Sequence, residues 1–309
     1  MEKIISKTWE ERLAAIERIN TLDLNKATID DIDKIYSDLL IGFTIIGMNF
    51  REGISLYRAV NLGKKPMTFD EIKYPPKDKA KVNRASKEGE QMFYCSTVKK
   101  IPFFELDLKV GQRIGISNWI NTDRLFLHNV GYTYEELKRL TEIYNTGFSI
   151  EGRSEELKSE NNIKTNEHLK KAFSSKIEKS EEEKYKITIA IATILFNKPT
   201  EFLHLQDCPG LLYHTIRLED EADNIVLKPW IIDKGIVEFQ QVEYIEIIDK
   251  SDNKYTYKLL DYADTIKDGQ IQWKNLQKTW ILTDESDGFV FVDDEMFTIS
   301  GDLIPDYNG

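Results

Sequence analysis

The chain has 309 residues, 41% of them hydrophobic, enough to bury a sizeable core as one large domain or as a domain with a smaller appendage. A formal net charge of −11 opposes the phosphate backbone and disfavours general nucleic-acid binding. No run of about 18 apolar residues marks a membrane span, and Met1-Glu2-Lys3 leads into a charged amphipathic segment instead of a secretory core, so a cytoplasmic protein without a membrane partner is expected.

In chain order, Thr8-Trp9-Glu10-Glu11 reads as a capping box opening a helix with Trp9, Leu13, Ile16 and Ile19 along one face. Thr28-Ile29-Asp30-Asp31 opens a second helix, with Ile32, Ile35, Tyr36 and Leu39 on its apolar side. Neither carries a chemical constellation, and together they read as a helical cover over 1–49. Leu56–Val60 is a short strand. Gly63 to Arg84, lysine-rich and interrupted by Pro66, Pro75 and Pro76, reads as a loop rising over a site. A strand Met92–Ser96, a short helix centred on Pro102–Leu108 and a strand Arg113–Trp119 follow, which places Glu105 on a helix between two strands.

Residues 132–197 are predicted to be mostly helical, first from Thr133 to Ile143 and then from Ser180 to Phe196, the latter opened by a capping box of Ser180 and Glu183. Between them, residues 150–182 are polar and charge-rich and read as a solvated insertion that a site could lose. After Pro209-Gly210 the chain returns to strands. Beyond 236, alternation such as Val237-Glu238-Phe239, with turn candidates Asp252-Asn253, Asp268-Gly269 and Asp287-Gly288, predicts a β-rich extension over 236–309. It either extends a central sheet or forms an appended module.

Cys95 and Cys208 are too few for a disulfide framework or a zinc site, and His128, His168, His204 and His214 include no pair at helix spacing, so no metal centre is expected. No Gly-x-Gly-x-x-Gly follows a strand, which argues against hydride transfer at a Rossmann site.

The chemistry concentrates between Leu56 and Glu105. Arg58 lies in an apolar strand where a core-facing position avoids charge; its planar fork suits a pyrophosphate or a ribose hydroxyl, while an isolated strand arginine more often pairs with an acid. Arg84, in the turn Asn83-Arg84-Ala85-Ser86, fits either a phosphate clamp or an ordinary surface beside Lys81 and Lys87. Tyr94 is a core aromatic or a ring that stacks on a ligand, and Tyr57 competes for that role from the face opposite Arg58. Ser96 has no recognisable base to make it a nucleophile and reads as a hydrogen-bonding group. Glu105, nine residues later, follows Phe103-Phe104, where an acid is costly unless paired or used. Two cations, a hydroxyl, aromatic rings and one acid suit an anionic, aromatic ligand.

The order and spacing of Arg58, Arg84, Tyr94 with Ser96, and Glu105 resemble the RES domain, a family of bacterial NAD-consuming proteins named for an arginine, a glutamate and a serine. A later signature of that family, an aromatic-rich strand, an asparagine and a Leu-x-Pro, is similar to Leu212-Tyr213-His214-Thr215-Ile216-Arg217, Asn224 and Leu227-Lys228-Pro229. The resemblance covers 50–235. It departs from the family pattern at Asn83, where the family has glycine, at Ser86, where it has asparagine, and at His214-Thr215, where it has proline-serine.

The resemblance implies an ADP-ribosyltransferase-like α+β fold, a split curved sheet with surrounding helices, over 50–235. It implies NAD as a substrate that is consumed, with Glu105, Arg58, Ser96 and Tyr94 as catalytic residues and Arg58, Arg84, Tyr57, Tyr94, Ser96 and Asn224 binding the dinucleotide. The leading expectation is an NAD glycohydrolase that depletes the cofactor of the cell carrying it, a toxin in a toxin–antitoxin or defence system with an antitoxin or regulatory protein as partner. ADP-ribosyl transfer to a protein or another acceptor is the enzymatic alternative. A non-catalytic nucleotide-binding or interaction module is the alternative from another class, and the oligomeric state is left open.

Overall fold

The computed structural model describes residues 7–144, 154–197, 208–215, 223–251, 254–285, 289–292, 295–298, 300 and 302–307. Ile216 and Arg217 of the late signature, residues 150–153 of the polar segment, His204, and the turn candidates Asp252-Asn253 and Asp287-Gly288 lie outside the described residues.

The protein is a mixed α+β structure. Its strands are β1 (Gly47–Phe50), β2 (Ser55–Val60), β3 (Phe93–Ser96), β4 (Arg113–Asn121), β5 (Leu125–Val130), β6 (Gly210–His214), β7 (Asp223–Leu227), β8 (Val237–Ser251) and β9 (Lys254–Ala263). They are followed by a hairpin of β10 (Ile266–Lys267) and β11 (Gln270–Ile271), by β12 (Trp280–Thr283), and by a small sheet of β13 (Phe289–Val292), β14 (Glu295–Thr298) and β15 (Leu303–Ile304). Asp268 and Gly269 turn the hairpin with φ of 50° and 73°, the left-handed pair that a tight two-residue turn requires and that an Asp-Gly sequence supplies at low cost.

One ten-stranded sheet runs in the order β1-β5-β6-β7-β3-β2-β4-β8-β9-β12. β8 pairs with β4 along nearly the whole length of β4, and β9 and β12 follow it, so these strands of the stretch after 236 extend the central sheet while β13–β15 form a small sheet of their own. All neighbours are antiparallel except β5 and β6, whose parallel pairing needs a long crossover. The described helices of that crossover are α5 (Tyr134–Ile143), α6 (Ser154–Leu157), α7 (Glu160–Ser174) and α8 (Tyr185–Asn197); the shorter α3 (Phe69–Ile72), α4 (Ile101–Glu105) and α9 (Pro229–Asp233) cover other parts of the sheet.

Alternation along the strands sorts their side chains into two faces. Phe93, Leu212, Ile225 and Leu227 join a core shared with Leu56, Trp119 and helix α5, while Leu211, Tyr213 and Val226 point the other way into a second core. That second core is closed by α1 (Trp9–Asn20), α2 (Ile29–Leu39), α7 and α8. β6 and β7 are therefore buried on both sides, and apart from the buried polar residues His214, Asp223 and Asn224 at one end their residues are apolar. A third core, with Phe103, Phe104, Tyr255, Tyr257 and Trp280, lies under α4 on the β4-β8-β9-β12 half.

The capping boxes of Thr8 with Glu11 and of Thr28 with Asp31 form as expected, and Ile32, Ile35, Tyr36 and Leu39 are buried. Leu13, placed on the apolar face of α1 by its spacing, is instead 40% exposed. Arg12 takes the inward position, because its guanidinium can satisfy the C-terminal carbonyls of α2 at Leu39 and Ile41.

Two expectations for the crossover fail. The described part of 150–182 is not a solvated insertion: α7 spans fifteen of its residues, buries Leu169 and Phe173, and sets Phe173 edge-on against Tyr213 of the sheet, with ring centroids 5.4 Å apart. Its charges occupy only the outer side of an amphipathic helix. Ser180 and Glu183 form no capping box, because Lys179–Lys184 is a 3₁₀ stretch kinked at Glu181 and the α-helix begins at Tyr185.

His168 of α7 stacks on Tyr36 of α2, with the phenol oxygen 2.9 Å from Nε2, and burial lowers its pKa from 6.5 to about 4. Between those values the unfolded chain binds more protons than the folded one. Stability from this site is present above about pH 6.5 and declines as pH falls towards 4, by up to about 1.4 kcal/mol per pH unit. Replacing His168 with Gln is expected to flatten the dependence of denaturation midpoint on pH in that window; an unchanged slope would assign the effect elsewhere.

Lys99, 2% exposed, donates to both carboxylate oxygens of Glu243 (2.8 and 2.9 Å) and to the Tyr257 hydroxyl (2.8 Å), Glu243 being 3% exposed. Lys99→Met alone leaves a buried carboxylate unpaired and should cost about 3–5 kcal/mol, whereas adding Glu243→Leu should recover most of that loss. Urea denaturation of the two variants checks the difference.

Candidate functional site

The sheet is nearly parted in the middle. β2 and β3 share one register pair, Tyr57 with Ser96, and then diverge. Arg58, the next residue on β2, fills the gap: its Nη1 donates to the Tyr94 carbonyl of β3 at 2.9 Å, and its Nε to the carbonyls of Lys73 (2.9 Å) and Ile72 (3.3 Å). Its guanidinium lies 5.3 Å from the Phe93 ring centroid. Burial lowers its pKa to about 10, so it remains a cation at neutral pH, and among the described residues no carboxylate pairs with it.

A cleft of about 1150 Å³ opens over this parting. Tyr57, Arg58, Arg84, Tyr94, Ser96, Glu105 and Asn224, the residues singled out from sequence, all line it. Tyr57, Ser96, Asn224 and Tyr213 form one row across β2, β3, β7 and β6, and cross-strand partners present their side chains to the same face. The Gly63–Arg84 stretch, expected as a loop, carries the short helix α3 and a 3₁₀ turn at Lys77–Lys79, and forms one wall of the cleft through Lys73, Pro75, Lys81 and Asn83.

Glu105 is the last residue of α4, whose Ile101, Pro102, Phe103 and Phe104 are buried. Phe103 packs against Tyr255 and Tyr257, and Phe104 meets Tyr255 edge-on at 4.8 Å, so the apolar sides of this short helix are fixed to β9. The buried Lys99–Glu243 pair holds the chain just before it. What remains faces the cleft, where Glu105 is half-buried and its Oε1 accepts from Asn224 Nδ2 at 2.8 Å. Asn224 thus orients the carboxylate.

Arg84 is only 6% exposed. Its Nη2 donates to the Ser175 carbonyl at 2.6 Å, while its Nη1 is buried without a hydrogen-bond partner among the described residues. A buried guanidinium nitrogen left unpaired beside a cleft is what an anionic ligand would satisfy. The turn that carries it is closed by reciprocal backbone bonds between Asn83 and Ser86, and φ at Asn83 is not positive, so the turn needs no glycine. The Tyr94 hydroxyl accepts from the Ala85 N–H at 3.1 Å and bonds the Ser86 hydroxyl at 2.9 Å; burial pushes its pKa up to about 12. Tyr94 therefore holds the arginine turn with its hydroxyl. Ser96 is buried and donates to the Val98 carbonyl at 2.9 Å, tying down the approach to α4.

Tyr213 stands in the late signature but outside the site residues expected from sequence. It lies on the cleft floor, within electrostatic range of Glu105, Arg84 and Tyr94, with its phenol held neutral by burial. Its place in an aromatic strand was the available signal. Ile177 and Tyr185 also line the cleft, from a segment whose sequence carries no motif.

Comparison of the chain with protein-family models, with curated proteins and with solved structures gives no match in any of the three. The Tyr94→Phe variant should lose about 1–3 kcal/mol of stability, because the buried Ala85 N–H is left without an acceptor. Loss of less than about 0.5 kcal/mol in a denaturant titration would show that the turn does not rely on this hydroxyl.

Proposed function

We propose that the protein is an NAD glycohydrolase that cleaves the nicotinamide–ribose bond in the cleft between β2 and β3. The observation that carries this reading is a juxtaposition in one cleft: two arginines without carboxylate partners among the described residues, one with a buried unpaired Nη1, and a glutamate oriented by Asn224. Lys79, Lys81 and Lys179 add exposed positive charge to the cleft lining of a chain whose net charge is −11. The cleft volume of about 1150 Å³ exceeds the usual small-molecule range of about 300–1,000 Å³, as a ligand of two linked nucleotides needs. The near-parting of the sheet under the cleft supports an ADP-ribosyltransferase-like arrangement.

In this reading Arg84 takes the pyrophosphate, and Arg58 holds the parted strands together and offers its remaining edge to phosphate or ribose. The glycosidic bond breaks with its electron pair passing to the pyridinium nitrogen, so nicotinamide leaves neutral and needs no strong acid. Positive charge develops on the ribose, and the Glu105 carboxylate stabilises it. Water then adds to the ribosyl carbon and gives up a proton, leaving ADP-ribose. The reacting sugar stands over the row of Tyr57, Ser96 and Asn224, with Ser96 and Asn224 fixing the strand ends beneath it. An enzyme of this kind depletes the NAD of the cell that makes it, so expression of the wild-type chain should slow growth.

Glu105→Gln keeps the size of the side chain and a hydrogen-bonding oxygen but removes the charge. Nicotinamide release should fall by about two or more orders of magnitude, the scale of losing one preorganised electrostatic group, and the growth defect should be relieved. NAD affinity should change far less, because the ground-state sugar lacks the developing charge. A Glu105→Gln variant releasing nicotinamide at the wild-type rate would sink the reading. Free ADP-ribose as the product supports hydrolysis; label retained on a macromolecule would redirect the reading to transfer.

A further inference from the structure

The cleft continues past Arg84 to a wall that the reaction does not use. Residues 175–185, between α7 and α8, cross it, and Ile177 and Tyr185 line it while half-buried. Neither belongs to any of the three hydrophobic cores, so their apolar surface faces the cleft instead of the interior. The Tyr185 side chain has no hydrogen bond or ring contact among the described residues. The segment is pinned at its start by the bond from Arg84 Nη2 to the Ser175 carbonyl.

The order of groups along the cleft follows from the hydrogen bonds that link its lining. Glu105 is bonded to Asn224, which pairs in register with Ser96. Two residues back along β3, the Tyr94 hydroxyl is bonded to Ala85 and Ser86 of the turn that carries Arg84. Arg84 in turn reaches Ser175, two residues before Ile177, so Arg84 and its buried Nη1 stand between Glu105 and the segment that carries Ile177 and Tyr185. A dinucleotide has the same order: a scissile ribosyl bond at one end, phosphates in the middle, and a flat purine at the other end.

On the reading that the ligand is a dinucleotide cleaved beside Glu105, we propose that Ile177 and Tyr185 form the seat of its adenine ring. A purine has two apolar faces that a phenol ring can cover, and a branched aliphatic side chain suits its edge or opposite face. The phosphates then fall to Arg84, which would give its unpaired Nη1 a partner. This makes Tyr185 a specificity-determining residue. It selects a dinucleotide over a mononucleotide carrying the same scissile bond.

The test compares NAD with nicotinamide mononucleotide, which has the nicotinamide–ribose bond and one phosphate but no adenosine. Their kcat/KM values are measured for wild type, Tyr185→Ala and Tyr185→Phe. Wild type should prefer NAD by at least about tenfold, and Tyr185→Ala should cut that preference by roughly fivefold to a hundredfold, chiefly through KM for NAD, the range expected for one base–aromatic stack. Tyr185→Phe, which keeps the ring, should retain the preference within about threefold. Because each preference is a ratio taken on a single sample, partial loss of folded protein cancels from it. A Tyr185→Ala enzyme with the wild-type preference, or a wild type that cleaves both compounds equally well, would overturn the adenine seat while leaving NAD cleavage standing. Failure of the wild type to cleave either compound would overturn the glycohydrolase reading itself.

Discussion

The candidate site depends on a defect in the central sheet. β2 and β3 are neighbours in a ten-stranded sheet, yet they share one register pair before diverging. Separating strands exposes backbone polar groups that must find other partners. Arg58 meets one of them, the Tyr94 carbonyl of β3, and with the same side chain bonds the carbonyls of Ile72 and Lys73 at the end of α3. A cation is suited to this because it offers several donors in a fixed fork and no acceptor. The same residue therefore keeps the sheet in one piece and places positive charge at the cleft floor.

Around that parting, the site residues come from elements held by different means. Glu105 is fixed from behind, by a helix whose phenylalanines are buried against β9 and by a buried lysine–glutamate pair at its approach. Arg84 is fixed from the side, by a turn closed on itself and tied to the Tyr94 hydroxyl. Asn224 joins the two halves of the sheet chemically, since it sits in β7, beside Ser96 in register, and donates to Glu105 on the far side of the parting. A shift of β7 relative to α4 would break that hydrogen bond. That linkage makes the geometry of the acid a property of the whole sheet and not of α4 alone.

The crossover between β5 and β6 gives the cleft its second wall. Parallel pairing of those strands obliges the chain to travel a long way between them, and the helices it builds cover the sheet face beside the cleft. Helix α7 keeps its charges on its outer side and buries Asn162, Thr165 and Asn166 with Leu169 and Phe173, and its end at Ser175 is held by an arginine from the opposite wall. The Arg84 side chain thus connects the two walls across the cleft.

Local sequence determined those features whose cause is local. The two N-terminal capping boxes, the Asp268-Gly269 turn, the apolar stripe of α2 and the alternation after 236 all act over a few residues, and each is found where its pattern stands. The chain also showed which side chains would be costly to bury without a partner, Arg58 and Glu105 among them. It did not show what the partners are. That β2 and β3 part, that Tyr94 turns its hydroxyl to Ala85 and Ser86, that Arg84 reaches Ser175 ninety-one residues away, and that Tyr185 faces the cleft are decided by strand order and by contacts between distant segments. The same holds for Leu13 and Arg12, where helical spacing favours the leucine but two orphaned carbonyls at the end of a neighbouring helix draw the arginine inward. Periodicity records how a segment divides its own surface; tertiary packing decides which unmet polar groups that surface encounters, and here those encounters build the site.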